Sequence, residues 1–520
     1  MWIHRAHASH RLLRAGALLL ILVSGVRPGH TTPLDFLPVG DPLEAELRTL
    51  DVLGGYSWLP HLGMRPLQIV ELQAAVAPQG PDQGSKVSLI RLGRALARDG
   101  VTGFADGPVH GTTPRTLQYA YPDDQRFDVS VGFQGRGDLD RWGSAFTSGT
   151  GLHLRAAAGF RGLLVYSHVM AAHVKEGLAF AEPLVAGNDA IIHTEETYLA
   201  YSGTSARWGA QFGRSRWHWG PGEEASLVLS KTSVPLTGLA FRASIEPLRA
   251  DGIALSATLD AASGEQLAAH RLEWRPGEGL RIGLSEAARY RAPSWQPLYL
   301  LGLIPYVLVQ RLHVQDRPES SSVLRNNVVV AFDAAWRAGP GARLYGEWLI
   351  DDVQGANTTR KYGYQVGWEG VAAIGATRLV WGTEYTRLTR YVYTSFFGRD
   401  FASQGQPLGF PTGPDARRVR VRAALDLSPS WQLSAAVAQT DKGENDLDEP
   451  LLPGTSGVDS EGLEGVVETS RELELGIRFW PASGVDVALF GGYRWIEDAG
   501  HAAGVDRESL RGALALRLIR

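Results

Sequence analysis

The stretch ELELGIRFW, residues 472–480, decides the fold. Leu473, Leu475, Ile477 and Phe479 fall on one side of it, and Glu472, Glu474 and Arg478 on the other. A period of two is the mark of a pleated strand with one apolar and one wet face. The same period returns in FDVSVGFQGR (127–136), NVVVAFDAAWR (327–337), YGYQVGWEG (362–370) and VRVRAALDLS (419–428). In the last of these Val419, Val421, Ala423 and Leu425 oppose Arg420, Arg422 and Asp426. About eighteen such segments run from 127–136 to 508–518.

Short and long connections between the segments alternate. Gly203 to Ser205, Pro276 to Glu278, Gly339–Pro340–Gly341, Pro429–Ser430 and Pro481 to Gly484 are tight. The links near 171–195, 214–238, 287–326, 388–417 and 440–471 are long. Up-and-down pairing gathers the tight links at one end and the long ones at the other, as in outer-membrane barrels. Both ends of the barrel sheet then lie on the periplasmic side. A soluble propeller would repeat a signature every 40–50 residues or so, and none recurs. The expected fold is an all-β transmembrane barrel of about eighteen antiparallel strands with a small N-terminal α-helical periplasmic domain. Its apolar side meets outer-membrane lipid, and its assembly requires the barrel-assembly machinery.

Composition agrees. Glycine supplies 61 of 520 residues, above the average of about 7 %. Trp and Tyr number 15 and 16 against 3 Met, which suits aromatic girdles at two membrane interfaces. Cysteine is absent, which removes disulfides, thiolate metal sites and thiol catalysis. The net charge of −4 disfavours a nucleic-acid partner.

The N-terminus reads as a secretory signal over residues 1–27. Arg5, Arg11 and Arg14 precede the apolar run Ala15 to Val23, and Ser24, Gly25 and Val26 are small enough for cleavage. Residues 28–124 form a helical segment and linker, placed in the periplasm. Leu43, Leu47 and Leu50 recur at helical spacing before Gly54–Gly55. Further helices are expected from Pro66 and from Ser85 to Asp99. Residues 125–520 form the barrel.

The most distinctive motif is GRSRWHWGPGEEASLVLSKTSVPLTGLAFRAS, from Gly213. Trp217, His218 and Trp219 lead into Gly220–Pro221–Gly222, a tight turn, and the apolar run after it ends at Ser230, before Pro235. This stretch resembles the signature of the Wzi capsule-assembly family of outer-membrane proteins. Trp217, Trp219, Gly220, Pro221, Gly222, Leu229, Ser230 and Pro235 occupy the matching positions. His218 departs from the usual aromatic, and Arg520 ends the chain where such barrels usually end in an aromatic. The resemblance implies a sugar-binding outer-membrane protein with surface, capsular-type polysaccharide as its partner. Two roles fit the motif: shaping a loop that folds into the barrel mouth, or touching glycan directly, since aromatic faces both pack and stack on sugar rings.

A second candidate is the loop from Arg390 to Asp415, in which Tyr391, Tyr393, Phe396 and Phe397 could stack on sugars or simply pack the loop on itself. The acidic loop Thr440 to Pro450 lacks the ligand order of a calcium loop. Glu195–Glu196 and Asp351–Asp352 are adjacent strand residues, expected on opposite faces and so poorly placed to share acid–base work. The histidines show no metal spacing, and no nucleophile or phosphate-binding motif occurs. The expectation is therefore a non-enzymatic polysaccharide-binding barrel with no cofactor and no metal. A diffusion porin is the alternative, and an outer-membrane hydrolase stands third.

Overall fold

The computed structural model describes residues 36–37, 39–54, 63–68, 87–92, 125–140, 146–160, 162–175, 184–185, 190–202, 208–277, 279–300, 302, 304–316, 326–351, 360–375, 377–395, 398–452, 460–482 and 485–518. Eighteen antiparallel strands close into a barrel. They are β1 (Gln125–Asp140), β2 (Phe146–Phe160), β3 (Leu163–Lys175), β4 (Ala190–Ser202), β5 (Trp208–Ser215), β6 (Leu236–Ile245), β7 (Ala250–Asp260), β8 (Glu265–Gly277) and β9 (Leu280–Arg291). The second half comprises β10 (Asn327–Gly339), β11 (Ala342–Asp351), β12 (Lys361–Ile374), β13 (Thr377–Leu388), β14 (Ala416–Ser428), β15 (Trp431–Lys442), β16 (Glu468–Ala482), β17 (Val485–Glu497) and β18 (Arg507–Leu518). Each strand pairs with its sequence neighbour, and β18 returns to β1 with Leu510 opposite Leu139. Closure leaves no edge with unpaired backbone groups, a condition for crossing lipid.

The link lengths sort as the sequence suggests. Residues 340–341 and 429–430 lie at one end, and 216–235, 389–415 and 443–467 at the other. Along the outer wall Phe332, Val419, Val421, Val437, Leu473 and Leu475 stay exposed. Trp208, Trp274, Trp336 and Trp431 ring the short-turn end, and Trp348 and Trp495 lie toward the long-loop end, all on the outside. Such an apolar band between aromatic girdles is what hydrocarbon requires.

One outer sector is polar and covered. Glu286 of β9 shares its face with the outward Ile282 and Leu284. The link after β9 folds back over it as α2 (Pro297–Leu300) and α3 (Tyr306–Asp316). The backbone N–H groups of Tyr306 and Val307 donate to the Glu286 carboxylate at 2.8 and 3.2 Å. A helix N-terminus thereby supplies the donors that a carboxylate on this face would otherwise lack.

The N-terminal region differs from expectation. Helix α1 (Leu43–Leu53) forms and ends at Gly54, which has φ 80°. It does not stand apart as a domain: it is wedged against the inner wall at the short-turn end. Its charged residues Glu44, Glu46, Arg48 and Asp51 are buried almost as fully as Leu47 and Leu50. Of the helix expected from Pro66, the part beyond residue 68 lies outside the described residues, and the start is not helical. Met64–Arg65 and Leu67–Gln68 are extended, because the first pairs with His218–Trp219 of the motif and the second with Phe36–Leu37. The third expected helix is seen over 87–92; its remainder, the signal and the linker before residue 125 lie outside the described residues.

Candidate functional site

The motif leaves β5 at Ser215 and turns into the lumen before rejoining the wall at Leu236. His218–Trp219 is held on both sides. Met64 pairs with Trp219 on one flank, and on the other the Trp219 N–H donates to the Leu229 carbonyl at 2.8 Å. Gly220 has φ 134°, and its N–H donates to the Gly63 carbonyl at 3.0 Å. The next two carbonyls receive cations: Arg48 donates to Pro221 at 2.9 Å, and Arg65 to Gly222 at 3.0 Å. A Cβ on Gly222 would collide with the Ala225 carbonyl oxygen, so only glycine fits this turn.

His218 is a wholly buried fixture. Its Nε2 is 3.1 Å from the Gly222 carbonyl, and its Nδ1 accepts the Lys231 N–H at 3.3 Å. This pair of partners selects the neutral tautomer protonated at Nε2. Burial first, then the nearby Arg65 and Lys231 charges, push its pKa well below the ordinary 6.5. Trp217 and Trp219 meet edge to face at 6.3 Å within the core. The Ser230 N–H donates to the Leu408 carbonyl at 2.8 Å, tying the motif to the loop above.

Many charges inside the barrel are matched. Directly after the glycines, Glu223 meets Arg420 at 2.8 Å and Arg422 at 3.3 Å, and Glu224 meets Arg418 at 2.7 Å. Burial opposes the charged form of Glu223, but Arg422, Lys231 and Arg420 outweigh it and hold its pKa far down. Helix α1 engages the wall and the 87–92 helix in the same way: Glu46 with Arg378 and with Arg91, Arg48 with Glu369, Asp51 with Arg281 and Arg343, at 2.5–3.0 Å. Each of these buried charges has an opposite partner, as a low-dielectric interior demands. The arginine row of β14 is legible in the sequence; the roles of Glu223 and Glu224 are not, because their partners lie 197 and 194 positions away.

The second candidate loop is a lid on this plug. Tyr393 is 0 % exposed, which at this position favours the packed loop over stacking on sugars. Its hydroxyl donates to the Leu227 carbonyl at 2.6 Å and accepts the Phe410 N–H at 3.2 Å, and its ring stacks on Phe401. Tyr391 remains partly exposed, with its N–H on Asn445 at 2.9 Å. Phe396 and Phe397 lie outside the described residues. Trp217, His218, Trp219, Gly220, Pro221, Gly222 and Ser230 are all buried, so none presents a face to the long-loop mouth.

The Glu195–Glu196 pair brings a correction. His168 pairs with Glu196 and Val169 with Thr194, so Glu195 is an extra residue in a β-bulge. Both carboxylates consequently line one internal cavity of about 210 Å³, alongside His153 and His168. Glu195 pairs with Arg216 at 2.8 Å and Glu196 accepts from Ser215 at 3.0 Å. Among the described residues no three acidic or histidine side chains are placed to hold a metal ion.

Fold and interior together define a class: an eighteen-strand barrel with its own chain folded into the lumen from both ends. The family model described as capsule assembly protein Wzi matches residues 114–509, and the chain belongs to that family. No curated relative matches the chain in sequence. Among solved structures, Wzi of Escherichia coli, described as an outer membrane protein involved in group 1 capsule assembly and a carbohydrate-binding β-barrel, superposes with a TM-score of 0.64. The two share 15 % identity over 93 % of this chain and 99 % of that one. OccAB1 of Acinetobacter baumannii and OprD of Pseudomonas aeruginosa match more loosely. Their TM-scores are 0.44 and 0.41, at 12 % and 10 % identity, over 75 % of this chain and 96 % and 95 % of theirs.

Proposed function

We propose that this protein is an outer-membrane barrel that binds surface polysaccharide and retains it at the cell, without catalysis and without conducting solutes. The filled lumen carries the reading. A diffusion porin needs a water-filled path, whereas here α1, residues 63–68, the motif loop and the lid share one buried interior. Family membership supports the polysaccharide as the partner. The short-turn end and α1 face the periplasm, where export by a signal at residues 1–27 and insertion by the barrel-assembly machinery would leave them. The long loops face outward, and outer-membrane lipid covers the apolar wall.

Within this reading the Trp-His-Trp-Gly-Pro-Gly residues shape the plug, and glycan is met by the loop surface above them. The absence of catalysis is supported by interior carboxylates already committed to arginines: Glu223, Glu224, Glu46 and Asp51. A deletion strain provides the test. The account expects surface polysaccharide to be made in normal amount but shed into the medium; polysaccharide retained as in the parent strain sinks it.

A further inference from the structure

A cavity of about 400 Å³ opens at the long-loop mouth, above the plug. This size is in the range of small-ligand sites. Leu259 and Leu447, which pack on the buried core, give it an apolar floor. Four carboxylates line it: Asp260, Asp400, Asp446 and Asp448. Among the described residues the one cation in the lining is Arg289, whose Nε donates to Glu265 and whose Nη1 donates to the carbonyls of Asp400 and Ala402. One wall is the hairpin Ala402–Ser403/Gln406–Pro407, whose two turn residues Gln404 and Gly405 have φ 52° and 72°. Two positive φ values in a two-residue turn give a tight, preset hairpin.

Ser403 is the telling residue. It is 7 % exposed and lines the cavity, yet its hydroxyl makes no hydrogen bond among the described residues. The hydroxyl itself is not sealed off, so it stays open to whatever occupies the cavity. Asp260, Asp446 and Asp448 are exposed, and the Asp448 carboxylate has no hydrogen-bonded partner among the described residues. Asp400 accepts the Ser395 N–H at 2.7 Å through Oδ1, and burial, with Asp448 adding to it, pushes its carboxyl up. The carboxylates are spread around the space and do not converge on a point, and none belongs to a metal-holding group among the described residues.

We infer that this cavity receives a saccharide unit rich in hydroxyl or amine donors and free of carboxylate, sulfate and phosphate groups. Carboxylates accept hydrogen bonds from sugar hydroxyls and ammonium groups and repel anionic sugars, while the leucines take the C–H face of the ring. Ser403 supplies the one neutral hydroxyl partner. The inference rests on the polysaccharide-binding reading and narrows it to a neutral or amino-sugar segment.

The experiment uses the full-length protein in detergent with three oligosaccharide probes of equal length: a neutral glucan, a glucosamine oligomer and a galacturonate oligomer. Binding is read by calorimetry, with and without EDTA. The neutral and amino probes should bind and the uronate should not. Asp448→Asn and Asp400→Asn should each weaken binding roughly tenfold, the cost of losing a charge-assisted hydrogen bond. The amide oxygen in Asp400→Asn keeps an acceptor for the Ser395 N–H, and the Asp448 carboxylate holds nothing in place, so neither change should disturb folding. Asp506→Asn, an exposed charge outside the cavity, should leave binding unchanged. Uronate binding as tight as glucan binding overturns the inference. So does affinity indifferent to both cavity variants, or binding abolished by EDTA, which would substitute a bridging metal. If no probe binds while a deletion strain sheds its polymer, the cavity assignment falls and the broader reading stands. A strain that retains its polymer removes the broader reading itself.

Discussion

Trp219 shows how a motif residue can be decisive without touching a ligand. It is fully buried, its backbone is bonded on both flanks, and its indole N–H finds no acceptor among the described residues. Shape and apolar volume are then what the position uses. Trp219→Phe should keep the folded barrel nearly as stable as the parent, whereas Trp219→Ala should cost about 3–5 kcal/mol through the cavity it leaves. Denaturant unfolding in detergent micelles checks both. Equal losses for Phe and Ala would show that the indole nitrogen matters and that its role has been misread. His218 was legible as a departure from the family pattern but not as a buried neutral group. Its partners, Gly222 and Lys231, lie in its own loop, and only the fold of that loop brings them to its two ring nitrogens.

At the level of elements, the strands were readable, and of the plug only the motif loop was. Alternation along each strand is local, because lipid on one face and lumen on the other impose it residue by residue. Helix α1 shows the limit. Its Leu spacing predicts a helix but gives its charges no partners, while the structure sets them against arginines of the barrel wall and of residue 91. Ion pairing of this kind leaves no periodic trace in sequence. The same pairing makes α1 acid-sensitive. Burial opposes the charged form of Glu46, but Arg91 and Arg378 prevail and hold its carboxyl at about 2; Asp51 is held low by Arg281 and Arg343 against the same burial. A carboxylate with a depressed folded pKa stabilises the docked state fully above its unfolded value, here 4.5 for Glu46, and loses that contribution as pH falls toward 2. The chain has no cysteine, so Ala45→Cys offers a single labelling site on the exposed side of α1. A spin label there should be immobile at pH 7 and loosen as the pH falls from about 4.5 to 2. Adding Asp51→Ala should loosen it already at pH 7, since removing one partner of a buried pair costs about 3–5 kcal/mol. Mobility unchanged in both cases contradicts the clamp.

For the whole molecule, the architecture separates two jobs. The wall is an outer-membrane barrel with a continuous apolar band, and the interior is a protein core with its own tryptophans, leucines and paired charges. Sequence reasoning reaches the first from periodicity and link lengths and reaches the second only through the resemblance of one loop. The filling depends on contacts such as Tyr393 with Leu227 and Arg48 with Pro221, whose members are 166 and 173 positions apart. A barrel so filled holds its long loops over a solid support, which suits a surface that grips polymer and not one that passes solutes. Conductance of the purified protein in planar bilayers tests this most directly. Wild-type protein should insert and remain electrically silent, while steady, porin-like single-channel steps would contradict the account.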